Sequence, residues 1–173
     1  MFQELSSDQI ESVLQRRIFG HLGCHADGLT YIVPICYAYS QGRIFCRTAE
    51  GLKLKMMREN PEVCFQVEHV ETMAKWESVI CWGRFKELHN AEDRMNAIHV
   101  LQGRVAAKVD SDDLLQSSYW PFSISESDND GILFCVELRQ MTGRSSICKD
   151  EKRTWGARLP DIRENYFDYF EAF

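Results

Sequence analysis

Residues 18–47 limit what this chain can fold into more than any other stretch. They read IFGHLGCHADGLTYIVPICYAYSQGRIFCR, with three apolar runs broken at Asp27-Gly28 and Gln41-Gly42. A two-residue hairpin loop needs positive φ at its centre, and an X-Gly pair of this kind supplies it. The stretch predicts a three-stranded antiparallel meander. Two further runs, 62–70 and 76–88, alternate with period two. In the first, Val63, Phe65 and Val67 oppose Cys64, Gln66 and Glu68. In the second, Val79, Cys81 and Phe85 oppose Trp76, Ser78 and Trp82. A last run, 131–144, makes a sixth strand.

Helices are fewer. Ser7 or Asp8 can cap a first helix over 8–17, where Ile10, Val13 and Leu14 recur at helical spacing. A second runs from about Gly51 to Glu59 and is stopped by Asn60-Pro61. Asn90, with Asp93 three residues on, caps a third over 91–102. Residues 109–130 are polar and acidic and read as loop. The expectation is a mainly β fold, six antiparallel strands closing into a barrel or sandwich with peripheral helices. The βαβ alternation and the G-x-G-x-x-G loop of a Rossmann site are missing.

A chain of 173 residues with net charge −6 is a poor general binder of nucleic acid. The longest apolar run, 29–39, is too short to span a bilayer and contains Pro34. The start, MFQELSSDQI, has early acids and no apolar signal-peptide core. A cytoplasmic address without membrane contact is expected. Seven cysteines, none in a C-x-x-C pair and most inside apolar runs, read as reduced and buried.

The stretch 43–61, RIFCRTAEGLKLKMMRENP, begins as a strand and ends as a helix. Arg47, Thr48, Glu50, Gly51 and Lys53 lie at the handover. A helix N-terminus exposes unpaired N–H groups and partial positive charge, which favours an anion such as phosphate. From this stretch alone, an ordinary N-cap at Thr48 with solvated charges is the better reading.

Four segments in order, 31-YIVPICYAY-39, 44-IFCRTAEGLKLKMMRENPEVCFQVE-68, 76-WESVICWGRFKEL-88 and 142-TGR-144, together resemble the pyridoxamine 5′-phosphate oxidase-like FMN-binding split barrels. Within them the resemblance is nearest to the nitroimidazole-resistance (Nim) flavoproteins. It covers roughly residues 8 to 147. It implies a six-stranded split barrel over 1–147 that forms a homodimer, with FMN at the subunit interface. Residues 148–173 would be a C-terminal aromatic extension docking on the barrel or on the partner. The resemblance places the FMN phosphate on the turn after the third strand. There Thr48 would offer its hydroxyl, Lys53 its ammonium, and Ala49 to Gly51 their backbone N–H groups. Val33, Pro34, Ile35, Cys36 and Tyr37 would border the isoalloxazine through their backbone, and Ser78 would face the cofactor. The resemblance further implies an oxidoreductase passing electrons from NAD(P)H through FMN to a small acceptor. Alternatives are a non-catalytic flavin-binding protein, or a barrel holding haem or a deazaflavin. Nim-type relatives usually carry His where this chain has Arg47. Arginine binds phosphate well but stays protonated, so it cannot serve as an acid-base group at neutral pH.

Other candidates are weaker. In 21-HLGCH-25, His21 and His25 share one strand face and Cys24 takes the other, so no single metal ion collects all three. No metal site is expected. Trp76, Trp82 and Trp120 could line a flavin pocket, with Trp120 in the loop segment 119-YWPF-122 the best placed. His99 reads as a helix-packing residue, and Arg139, Arg144, Lys149, Lys152 and Arg153 as a solvated basic face. No catalytic residue is assigned.

Overall fold

The computed structural model describes residues 2–106 and 131–147. The elements run β1 (Phe2–Glu4), α1 (Ser7–Arg16), β2 (Phe19–Ala26), β3 (Leu29–Cys36), β4 (Ala38–Ser40), β5 (Arg43–Thr48), α2 (Leu52–Glu59), β6 (Glu62–Thr72), β7 (Lys75–Glu87), α3 (Ala91–Ala106) and β8 (Ile132–Ile147). The fold is mainly β and antiparallel. Six long strands match the six expected; β1 and β4, three residues each, are additions. Trp120, the acidic segment 109–130 and the extension from Cys148 lie outside the described residues.

Both hairpin turns form where the sequence puts them. Asp27 and Gly28 have φ of 50° and 74°, and Gln41 and Gly42 have 50° and 73°. Two consecutive positive φ values match the right-handed twist of the flanking strands. The meander itself does not form. The strand order is β3-β2-β6-β7-β8-β5-β4, which puts β3 and β4 on opposite edges. Only Tyr37 separates them along the chain. One covalent step therefore joins the two edges where a hydrogen-bonded ladder would otherwise run, and the barrel is split there. Alternation along a strand reports faces, not neighbours, so it could not reveal this break.

Tyr37 anchors the junction. It is fully buried. Its hydroxyl donates to the Leu14 carbonyl at 2.9 Å, its amide to the Ile18 carbonyl at 2.9 Å, and its ring meets Phe65 edge-on at 4.8 Å.

The barrel interior collects Leu22, Phe65, Val67, Val79, Cys81, Phe134 and Val136. Helix α1 contributes Ile10, Val13 and Leu14, and α2 contributes Leu54, Met56 and Met57. The α1 cap is Ser6, one residue before the expected pair. Its hydroxyl accepts from the Gln9 amide at 3.4 Å while the Gln9 side chain accepts from the Ser6 amide at 2.8 Å, a reciprocal capping box. Asn90 caps α3 as expected, accepting from the Asp93 amide at 2.7 Å. Helix α3 covers a second apolar cluster on the outer side of β4, β5 and β8, built from Ala38, Phe45, Leu133, Cys135, Ala97 and Leu101. Among the described residues no such helix lies over the outer side of β2, β3, β6 and β7, and Phe19, Ile32 and Trp82 stand 60%, 64% and 41% exposed.

Candidate functional site

The handover from β5 to α2 is the first half of the site. The N-cap of α2 is Gly51, not Thr48, and it brings no side-chain hydrogen bond. The first turn of α2 holds no acid. Among the described residues its leading amides therefore have no side-chain acceptor, and no acid in the first turn offsets their partial positive charge. Lys53 stands half-buried in that turn. Its ammonium is close enough to the barrel interior to oppose, in part, the upward push that burial gives the Cys24 and Cys46 thiols. The one acid in the handover, Glu50, is turned to Arg58, whose Nη1 donates to it at 2.8 Å. Arg58 also grips Glu87 at the end of β7 through Nε at 2.8 Å and Nη2 at 3.1 Å. That fork holds the Glu87 carboxyl below its ordinary value.

Arg47 and Thr48 are both buried, 4% and 2% exposed. As successive strand residues they leave opposite faces of β5. Thr48 shares the side of Ile44 and Cys46 in the barrel core, and Arg47 that of Phe45 under α3. The Arg47 guanidinium lies across Gly131, where a Cβ would collide with its Nε. The structure thus separates two residues that the sequence placed together. The Thr48 hydroxyl donates to the Ala49 carbonyl at 3.2 Å and must rotate to meet a ligand. Exposed Ala49, Glu50 and Gly51 offer backbone, and Lys53 offers charge. This donor set fits a phosphate monoester.

The second half is the uncovered outer face. Cross-strand register places Pro34 beside His21, Cys36 beside Phe19, His21 beside Gln66, and Glu68 beside Ser78. Pro34, Cys36 and Ser78 therefore share one face, as the alternation predicted for Ser78. Continuing the β4–β5 register back through Tyr37 sets Cys36 level with Arg47. One belt of strands links the phosphate-type turn to Ser78. At the usual strand spacing, the three hydrogen-bonded steps from β3 through β2 and β6 to β7 span about 14 Å of surface. Burial pushes the Cys36 thiol from 9.0 up to about 11, so it stays neutral here. Val33 is half-buried, while Ile35 and Tyr37 turn their side chains inward. The Tyr37 amide and hydroxyl are both spent within the chain, so neither is available to a cofactor.

Two cavities open on this face and meet at Trp82. One, about 710 Å³, is lined by Trp76, Ser78, Ile80, Thr142 and Arg144 among others. The other, about 500 Å³, is lined by His21, His25, Ile32, Cys64 and Gln66. The sequence reading set His21 aside as a strand histidine. Its cross-strand hydrogen bond to Gln66, at 3.2 Å, depends on register and had no local signal.

Residues 6–144 match the pyridoxamine 5′-phosphate oxidase family. The chain belongs to that family. An uncharacterized protein of Rhizobium meliloti is 31% identical over 154 residues, spanning 82% of this chain and 93% of its own. Among solved structures, a FAD-binding protein of Mesorhizobium loti superposes with a TM-score of 0.64 at 27% identity, covering 84% of this chain and 99% of the other. A Bacteroides thetaiotaomicron protein named for 5-nitroimidazole antibiotic resistance shares the fold, with a TM-score of 0.65 at 20% identity over 84% and 87% of the two chains. The split between β3 and β4 is thus the split of a pyridoxamine 5′-phosphate oxidase-type barrel. Among the described residues no helix is long and apolar enough to cross a membrane.

Proposed function

We propose that this member of the pyridoxamine 5′-phosphate oxidase family binds FMN, with the phosphate on the β5–α2 handover and the ring along the outer face of β3. The observation that carries the reading is the open N-terminus of α2. Its amides have no side-chain cap, its first turn has no acid, and Lys53 stands within it. Family membership and the FAD-binding relative support a flavin over other phosphate ligands. Bound FMN would supply two-electron chemistry, which the leading reading uses to pass electrons from NAD(P)H to a small acceptor. The chain's part is to grip the phosphate, border the ring and limit water access. A homodimer is part of the proposal: the exposed Phe19, Ile32 and Trp82 form an apolar face that a second copy would cover.

The test is Lys53→Ala combined with Thr48→Ala. Each charge-assisted bond contributes about 1.5 kcal/mol or more, so FMN affinity should fall by about a hundredfold or more while the fold persists. Riboflavin, which lacks the phosphate, should bind wild type and variant alike. Unchanged FMN affinity contradicts the phosphate assignment, and an FMN-loaded monomer on light scattering contradicts the dimer. A flavin-binding protein without turnover is the second reading. Arg47 favours it, because a guanidinium exchanges no proton at neutral pH. NAD(P)H oxidation by the loaded protein separates the two.

A further inference from the structure

One row of side chains crosses four strands at the far end of β6 and β7. Cross-strand register sets Phe2 of β1 beside Ser146 of β8, Ser146 beside Trp76 of β7, and Trp76 beside Val70 of β6. Directly paired residues share a face, so the four form a single row, about 14 Å across at the usual strand spacing. Phe2 and Val70 are 72% and 61% exposed, and the Phe2 and Trp76 rings lie 5.6 Å apart. Met73, in the turn that follows Val70, is 99% exposed. The row is apolar except for Ser146.

Strand β8 ends at Ile147, one residue past the row. The chain that follows, 148–173, thus starts beside it. Within that segment 162-IRENYFDYFEAF-173 sets Ile162, Tyr166, Tyr169, Phe170 and Phe173 at helical spacing. Glu164, Asp168 and Glu171 fall on the opposite side of the same helical pattern. Asp161 and Glu164 have the spacing of a capping box, and Pro160 precedes them. A helix over 162–173 would be about 18 Å long, enough to cross the row. Its apolar stripe needs a cover. A segment tethered this close meets the row at an effective concentration on the order of millimolar, which favours the row of its own chain over that of a separate molecule.

We propose that residues 162–173 dock as an amphipathic helix on the Phe2, Trp76 and Val70 row of their own chain. The aromatic stripe covers the row, and the acids face solvent. The proposal does not depend on the flavin reading.

The test is hydrogen exchange of the full chain, read by mass spectrometry. Peptides from 162–173 should be protected in the wild type and lose that protection in Phe2→Ser combined with Val70→Ser, while peptides from β5 exchange as before. An unprotected segment in the wild type overturns the proposal, as does protection that survives the row variant. A second variant reads the contact from the other side, and does so even if the row variant fails to fold. Tyr166→Ser with Tyr169→Ser and Phe173→Ser should shift the fluorine signal of Trp76 in protein made with fluorotryptophan, that signal being identified by its loss in Trp76→Phe. Phe167→Ser, off the stripe, should leave it in place. A Trp76 signal that the triple variant does not move overturns the proposal. Co-expression of the two variants separates own-chain from partner docking. The unaltered 162–173 of the row variant should stay unprotected; protection that returns would place the segment on a second copy and overturn the own-chain assignment.

Discussion

At the scale of single residues, the structure redistributes roles within one short stretch. Tyr37 was grouped with Val33 to Cys36 as a cofactor border, yet it is the anchor of the split, buried and bonded through both its hydroxyl and its amide. Tyr37→Phe should therefore cost about 1 kcal/mol of stability or somewhat more, because it leaves the Leu14 carbonyl without its donor. FMN affinity should stay the same. Urea unfolding and a flavin titration check both halves, and a large loss of affinity at unchanged stability would return Tyr37 to the site. Arg47 was legible as a cation but not as a buried one. Its placement over Gly131 joins residues far apart in sequence, and nothing local encodes that contact. Ser78, in contrast, was readable, since period-two alternation fixes the face of every residue on a regular strand.

At the scale of elements, helix starts were located to within a residue or so, and their capping chemistry was partly misassigned. Asn90 with Asp93 was recognised because donor and acceptor are three residues apart. Ser6 was missed although Gln9 completes its box. The sequence offered the handover to α2 either as a place for an anion or as an ordinary cap, and the reason its helix end stays open was not visible. Arg58 lies on the last turn of α2 and reaches back to Glu50 and across to Glu87, a partner nearly thirty residues away. Without Arg58, Glu50 would stand unpaired beside the proposed phosphate site. Arg58→Ala should weaken FMN binding by up to about fivefold, the scale of an exposed ion pair of about 1 kcal/mol or less. Adding Glu50→Gln should restore it, and riboflavin binding should not respond to either change. A loss that Glu50→Gln fails to rescue would assign Arg58 a role in docking α2 instead.

At the scale of the whole molecule, six long strands and three helices were legible, because turns, alternation and helix stops are local signals. The closure was not. Which strands become neighbours depends on register and on the single residue that carries β3 to the other edge. The buried thiols also act at this scale. Burial raises Cys36 to about 11 and Cys81 to about 12, from an ordinary 9.0. Unfolded thiols ionise from about pH 9, whereas folded ones hold their protons longer, so the unfolded chain binds fewer protons in that window. This contribution to stability is complete below about pH 9 and is lost as the pH rises toward 11 and 12. In reductant, the urea midpoint should be lower at about pH 10.5 than at about pH 7.5, and Cys81→Ala should flatten the difference. A midpoint that rises, or a slope unchanged in the variant, would contradict it.

The central claim is that the barrel and the open turn at α2 serve a flavin phosphate. The absorbance spectrum of the purified protein, with any released chromophore weighed by mass spectrometry, tests it most directly. The account predicts a flavin spectrum and FMN as the released molecule. A Soret band, or no chromophore even after soaking with FMN, would contradict it.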